Sequence, residues 1–185
     1  MLTKTQTVGR IPLEGVHQRM TAAMRACVSW AAIEEHDKVL DMACGSGQML
    51  AYLNDQLRLT LCGMTKRAEQ ARAISEMLGD ADVIPSRMDD IPWRDNTFDE
   101  VLLAAPMKGE PRRILEETIR VLRPGGQFVM ASRLLQFRND NNLNRREIMR
   151  MMQEIGFREV SFRSTFLSGA IVGWKPGMID KNKKE

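Results

Sequence analysis

Aromatic residues, histidine and cysteine are scarce in this chain. Its 185 residues include 3 Trp, 1 Tyr, 6 Phe, 2 His and 3 Cys. So few rings, none interleaved with a basic stretch, leave no stacking platform for single-stranded nucleic acid. Cys27, Cys44 and Cys62 form no C-x-x-C and have no histidine at metal-ligand spacing, so free thiols and no metal site are expected. No apolar run approaches the ~18–20 residues of a membrane helix. Met1-Leu2-Thr3-Lys4-Thr5-Gln6 lacks the apolar stretch and small-residue cleavage site of a signal peptide. These absences point to a cytoplasmic protein without a membrane partner. Strong charge of one sign is lacking too. The net charge is +3, concentrated most clearly in Lys181-Asn182-Lys183-Lys184, which reads as a solvated terminus rather than a nucleic-acid clamp.

What is present is a length suited to one domain with a real core, and ordinary apolar and charged fractions. Residues 1–14, with Gly9 and Pro12, read as an arm, 15–176 as the domain, and 177–185 as a basic tail. Val16, Met20, Ala23, Met24, Cys27, Val28 and Ala31 share one helical face, predicting a helix from Gly15 to Ile33. Strands are predicted at Lys38–Ala43, Arg58–Gly63, Asp82–Ser86, Phe98–Ala105 and Gln127–Ser132. Helices are predicted at Gln48–Leu57, Arg67–Leu78, Glu110–Leu122 and Asn144–Ile155. Gly79 and Gly156 read as helix stops, Met88–Asn96 as a loop, and Arg123-Pro124-Gly125-Gly126 as a turn. Strands alternating with helices every ~25–35 residues mean βαβ crossovers and a parallel sheet covered on both faces. Phe157–Phe166 and Gly169–Trp174, separated only by Leu167-Ser168, are too close for a crossover and must pair antiparallel.

Asp41-Met42-Ala43-Cys44-Gly45-Ser46-Gly47 joins a strand to a helix, the place where doubly wound sheets bring ligands to backbone N–H groups. The dinucleotide pattern G-x-G-x-x-G/A fails, because Leu50 or Gln48 stands at its third small position. No Gly-Lys-Ser/Thr follows four spacers, so a P-loop is excluded. The loop alone is also compatible with a tight turn that binds nothing, the lesser of the two readings.

At this point the chain resembles the class I S-adenosylmethionine (SAM) dependent methyltransferases, particularly small ones acting on quinone precursors and other small metabolites. Val39–Gly47 is similar to that family's first motif, with Ala43 at a position usually glycine. Asp90–Val101 resembles the approach to its fourth strand, Ile119–Gly126 the turn before its fifth, and Glu154–Val160 the approach to its terminal antiparallel strands. The resemblance implies an α/β, Rossmann-like seven-stranded sheet of order 3-2-1-4-5-7-6, mostly parallel with an antiparallel strand 7.

The resemblance also implies a cofactor site. Asp41 matches the acid that helps hold the methionine end of SAM, with the backbone of Ala43, Cys44 and Gly45 passing beside it. Thr65 falls where the family carries an acid for both ribose hydroxyls. Arg87, followed by Met88, falls where it carries an acid near the adenine amino group, with Asp89 or Asp90 as substitutes if the alignment slips. Ala104 ends the fourth strand and opens a short loop to Glu110, where the family often carries substrate and catalytic groups. Asp41, Ala43, Cys44, Gly45, Thr65, Arg87, Met88 and Ala104 are the expected cofactor-binding residues. A threonine cannot accept two charge-assisted bonds, and an arginine accepts none.

The implied function is SAM-dependent methyl transfer to a small molecule, with S-adenosylhomocysteine (SAH) as product. One alternative is a methyltransferase-fold binding or scaffold subunit that has lost SAM. Another is a different ligand in the same crevice, its anion met by Arg87 and Lys66. No motif names the acceptor, a catalytic residue or an oligomeric state. His17 and His36 read as solvent-facing, Arg112, Arg113 and Arg145-Arg146 as solvated charges, and Met149, Met151 and Met152 as packing.

Overall fold

A computed structural model describes residues 20–134 and 144–177. In chain order the elements are α1 (Ala22–Trp30), β1 (Lys38–Asp41), α2 (Gln48–Gln56), β2 (Thr60–Thr65), α3 (Ala68–Leu78) and β3 (Asp82–Pro85). They continue with β4 (Phe98–Leu103), α4 (Pro111–Val121), β5 (Leu122–Arg133), α5 (Arg145–Ile155), β6 (Arg158–Ser164) and β7 (Ser168–Trp174). The seven strands form one sheet of order β3-β2-β1-β4-β5-β7-β6. The pairs among β1 to β5 are parallel, and β7 runs antiparallel to both β5 and β6. This is the expected α/β sheet, including the C-terminal hairpin.

Alternation along the strands divides the core between the two faces. Val39, Leu102, Val129, Ala131, Ala170 and Val172 pack with residues of α1, α2 and α3. Their neighbours Leu40, Val101, Leu103, Phe128, Met130 and Ile171 pack with residues of α4 and α5. In α4 the buried residues Ile114, Leu115, Thr118 and Val121 recur at helical spacing, and Pro111 occupies the first turn, where its missing N–H costs nothing. Asn144 and Glu147 close a reciprocal capping box at the start of α5.

Four expectations are corrected. The first helix is described from Ala22, where the Thr21 side chain accepts the Met24 N–H. It ends at Trp30 rather than Ile33, because Ala31 turns extended and the Ala32 N–H goes instead to the Gln127 side chain. Residues 15–19, with His17, and the arm 1–14 lie outside the described residues. The second strand lies two residues later than read, ending at Thr65, because its register runs from Lys38↔Thr60 along β1 to Thr65↔Pro85 along β3. The expected turn at Arg123–Gly126 is the first part of β5, where the register against β4 shifts. Exchange of backbone bonds between Gly125–Gly126 and Lys175 draws that stretch into the sheet. Finally, three arginines read as solvated have partners: Arg112 bonds Glu154 at 2.6 Å, Arg113 bonds the Asp89 carbonyl, and Arg145 stacks over Phe162.

Candidate functional site

Parallel strands all deliver their C-terminal ends to one edge of the sheet, and the site is built there. After β1 the chain makes a compact turn. The Asp41 Oδ1 accepts the Ala43 N–H at 3.0 Å, the Cys44 N–H goes to the Met64 carbonyl, and the Gly47 N–H returns to the Cys44 carbonyl. Gly45 and Gly47 both sit at positive φ, +55° and +78°, which side chains other than glycine adopt with strain. Their surroundings differ. A Cβ on Gly47 would strike Ile74 at 2.9 Å, whereas one on Gly45 would meet nothing nearer than the Ala43 carbonyl at 3.9 Å. Gly47 therefore serves packing, and Gly45 leaves open space at the mouth of the turn.

That space belongs to a cavity of 910 Å³. Of the expected residues, Ala43, Gly45, Thr65, Arg87 and Met88 line it. Asp41 and Cys44 are buried, and Ala104 is half-buried next to the lining residue Ala105.

Asp41 is 1% exposed, and its Oδ2 has no partner among the described residues. Burial pushes its carboxyl from the ordinary 3.8 up to about 7, opposed only by the Ala43 N–H. Cys44 is pushed up to about 12, by burial first and then by the nearby Asp41 charge, so its thiol is inert. All three cysteines are free and buried.

The other end of the cavity is different. The Thr65 hydroxyl, at the end of β2, donates to Gln70 Oε1 at 3.0 Å. Arg87 spends two of its donors on Asp89, at 2.8 and 2.7 Å, and the rest of its side chain is exposed. Neither Asp89, whose two oxygens take that fork, nor Asp90 is among the lining residues, so neither offers an acid to an adenine amino group in the cavity. The wall carrying these residues is pinned from α4. Glu117 accepts the Ile91 N–H, Arg120 bonds the carbonyls of Ile91 and Trp93, and Arg113 bonds that of Asp89.

The sequence reading missed Arg67, Gln70 and Lys108, which also line the cavity. Gln70 carried a legible signal: it lies in the first turn of the helix that begins after Arg67, from which its side chain reaches back to Thr65. Among the lining residues Lys66, Arg67, Arg87 and Lys108 are cationic and none is acidic.

With this geometry in view, the chain is matched by known proteins. Residues 40–130 fit the family model described as "Methyltransferase domain". The chain is 32% identical over 114 residues to a demethylmenaquinone methyltransferase of Paenarthrobacter aurescens, covering 58% of this chain and 43% of that protein. It is 30% identical over 129 residues to a ubiquinone/menaquinone biosynthesis C-methyltransferase of Roseobacter denitrificans, covering 63% and 49%. The chain thus spans about half the length of these relatives. Among solved structures, a [4+2]-cyclase superposes with a TM-score of 0.70 at 14% identity, covering 83% of this chain and 80% of that one. That likeness shows the fold alone.

Proposed function

We propose that the chain, which resembles the class I SAM-dependent methyltransferases and fits a methyltransferase domain model over residues 40–130, transfers the methyl group of SAM to a small-molecule acceptor. The observation that carries the proposal is the Asp41 carboxylate, buried, half-satisfied and set beneath the open turn at Gly45. An unpaired buried carboxylate oxygen is costly, and a charged N–H donor offsets that cost. The α-ammonium of SAM is such a donor, so the β1 end of the cavity fits the methionine end of the cofactor. Ala43 and Gly45 would border it, with Cys44 behind. The ribose end fits less well: with its proton on Gln70, the Thr65 hydroxyl still accepts, but it lacks the charge and the second oxygen with which a carboxylate takes both ribose hydroxyls.

SAM, when bound, supplies a methyl group activated by its sulfonium. Displacement at that carbon needs chiefly alignment and exclusion of water, so the protein's part is positional. Asp41 anchors, the turn fixes the backbone, and Met42, Met64 and Met88 give the cavity apolar walls. The names of the relatives in the quinone pathways favour a quinone-type acceptor. The free cysteines fit a reducing, cytoplasmic setting, and no helix among the described residues is long and apolar enough to cross a membrane.

Titration calorimetry with SAH tests the reading, followed by methyl-transfer assays on quinone precursors. Saturable SAH binding that Asp41→Asn weakens supports it, and absence of SAH binding overturns it. The scaffold reading draws support from the Thr65–Gln70 and Arg87–Asp89 pairs, which occupy the places of two expected cofactor contacts.

A further inference from the structure

The ribose end of the cavity holds donors where a free ribose needs acceptors. Two ribose hydroxyls bring two protons, and a carboxylate takes both. Here the end of β2 runs Thr65-Lys66-Arg67, all three lining the cavity. Lys66 and Arg67 are donors only. Both are exposed, and neither has an ion pair or side-chain hydrogen bond among the described residues. Arg67 precedes α3 without capping it by its side chain. Glu69, in the first turn of α3, is exposed and does not line the cavity. At the same end of the cavity, just after β3, Arg87 is held in place by Asp89 while keeping three further N–H donors. Relative to a β2-terminal acid, the local charge has changed from negative to positive: Thr65 keeps one hydroxyl acceptor, and Lys66 and Arg67 bring only donors.

A phosphate monoester is the complement of this set: it carries negative charge and presents only acceptors to Lys66 and Arg67. Rossmann sheets follow the same logic at the same place, using an acid for a free ribose hydroxyl and an arginine for a ribose phosphate. Resting on the reading of this cavity as a nucleoside pocket, we propose that its ribose end receives a phosphate carried on the 2′ or 3′ hydroxyl of a nucleoside, gripped by Lys66 and Arg67. Such a ligand occupies the same cavity as SAM and competes with it.

The test is calorimetric titration of the full chain, at low salt, with adenosine, adenosine 2′-monophosphate, adenosine 3′-monophosphate, adenosine 5′-monophosphate and SAH. The same series is run on Lys66→Ala/Arg67→Ala, with melting temperature reporting its fold. The expected result is that the 2′ or 3′ phosphate binds at least about tenfold tighter than adenosine, competes with SAH, and loses that advantage in the double variant. Equal affinity for adenosine and its 2′ and 3′ phosphates overturns the inference, as does a preference that survives in the double variant. An equal gain from the 5′ phosphate overturns it as well, since that is undirected attraction of an anion. SAH binding without a phosphate preference removes this inference and leaves the methyltransferase reading standing. A phosphate preference without SAH binding upholds the inference and removes SAM as the cofactor.

Discussion

At its β1 end the cavity wall is formed by Met42, Ala43 and Gly45, which follow the buried Asp41, whereas at its β2–β3 end it is largely exposed side chains. Asp41, Met42 and Cys44 are buried, and the turn between them is tied to β2 and β4 by main-chain bonds. Changing a residue there disturbs the sheet itself. Lys66, Arg67 and Arg87 stand in solvent on the rim, where a substitution alters ligand preference at little cost to the fold. The comparison teaches that the family's likeness persists where site and scaffold share atoms and lapses where they do not.

The sharpest way to break the comparison is Gly45→Val. A β-branched side chain at φ +55° stands in the open space of the turn, so SAH binding should be lost in calorimetry, by more than ~100-fold. Gly45→Asn, which tolerates left-handed backbone better, separates loss of space from loss of fold in a melting experiment. Unchanged affinity in a folded Gly45→Val protein would contradict the placement of the ligand.

Next comes Asp41→Asn. Because the folded-state carboxyl titrates near 7 and the unfolded one near 3.8, the folded protein retains a proton that the unfolded chain releases between those values. The contribution of this group to stability is fully present below about pH 4, falls as pH rises, and levels off above about pH 7. The shift corresponds to about 4 kcal/mol. Chemical denaturation of the ligand-free protein across pH 4–8 should show this fall in the wild type and lose that component in Asp41→Asn. SAH binding should strengthen through pH 7 in the wild type, as the carboxylate becomes available to an ammonium. A flat wild-type profile would mean that the carboxylate has a partner in solution.

Thr65→Asp sharpens the other side. The new carboxylate offers the ribose diol two acceptors and places a negative charge beside Lys66 and Arg67. SAH should bind ~1–3 kcal/mol tighter and the ribose phosphates weaker. A change in the same direction for both ligands would show that Thr65 does not distinguish them. The smallest effect is expected at Arg112→Ala, which removes the 2.6 Å contact between α4 and Glu154 of α5. Both partners are half-exposed, so roughly 0.5 kcal/mol in denaturant titration is expected.

A parallel sheet buried on both faces and the terminal hairpin were legible from continuous apolar runs such as Val101-Leu102-Leu103 and from the short link between the last strands, while the strand order followed from the resemblance. The turn at Asp41–Gly47 was legible for a different reason: glycine at positive φ leaves its mark in sequence. What escaped were features set by tertiary pairing. The end of β2 at Thr65 is fixed by β1 and β3, not by local pattern. Arg123–Gly126 reads locally as a turn and is recruited into β5 by Lys175, some fifty residues away in sequence. Arg113 and Arg120 look like solvent charges on a helix, yet they tie down the wall that presents Arg87. Arg67 and Lys108 were missed because an exposed cation has no pattern of its own; only the cavity gathers them.

One consequence of the strand order concerns the ribosome. The strand inserted between β5 and β6 is β7, the last of the seven to be made. Until residues 168–174 emerge, β6 has no neighbour and β5 shows an open edge of unpaired backbone groups. Both edges are satisfied in a single step once β7 emerges, by pairing seven residues of β7 with β5. A nascent chain paused just before that step is therefore at its most adhesive, and removing β7 would expose two edges rather than one.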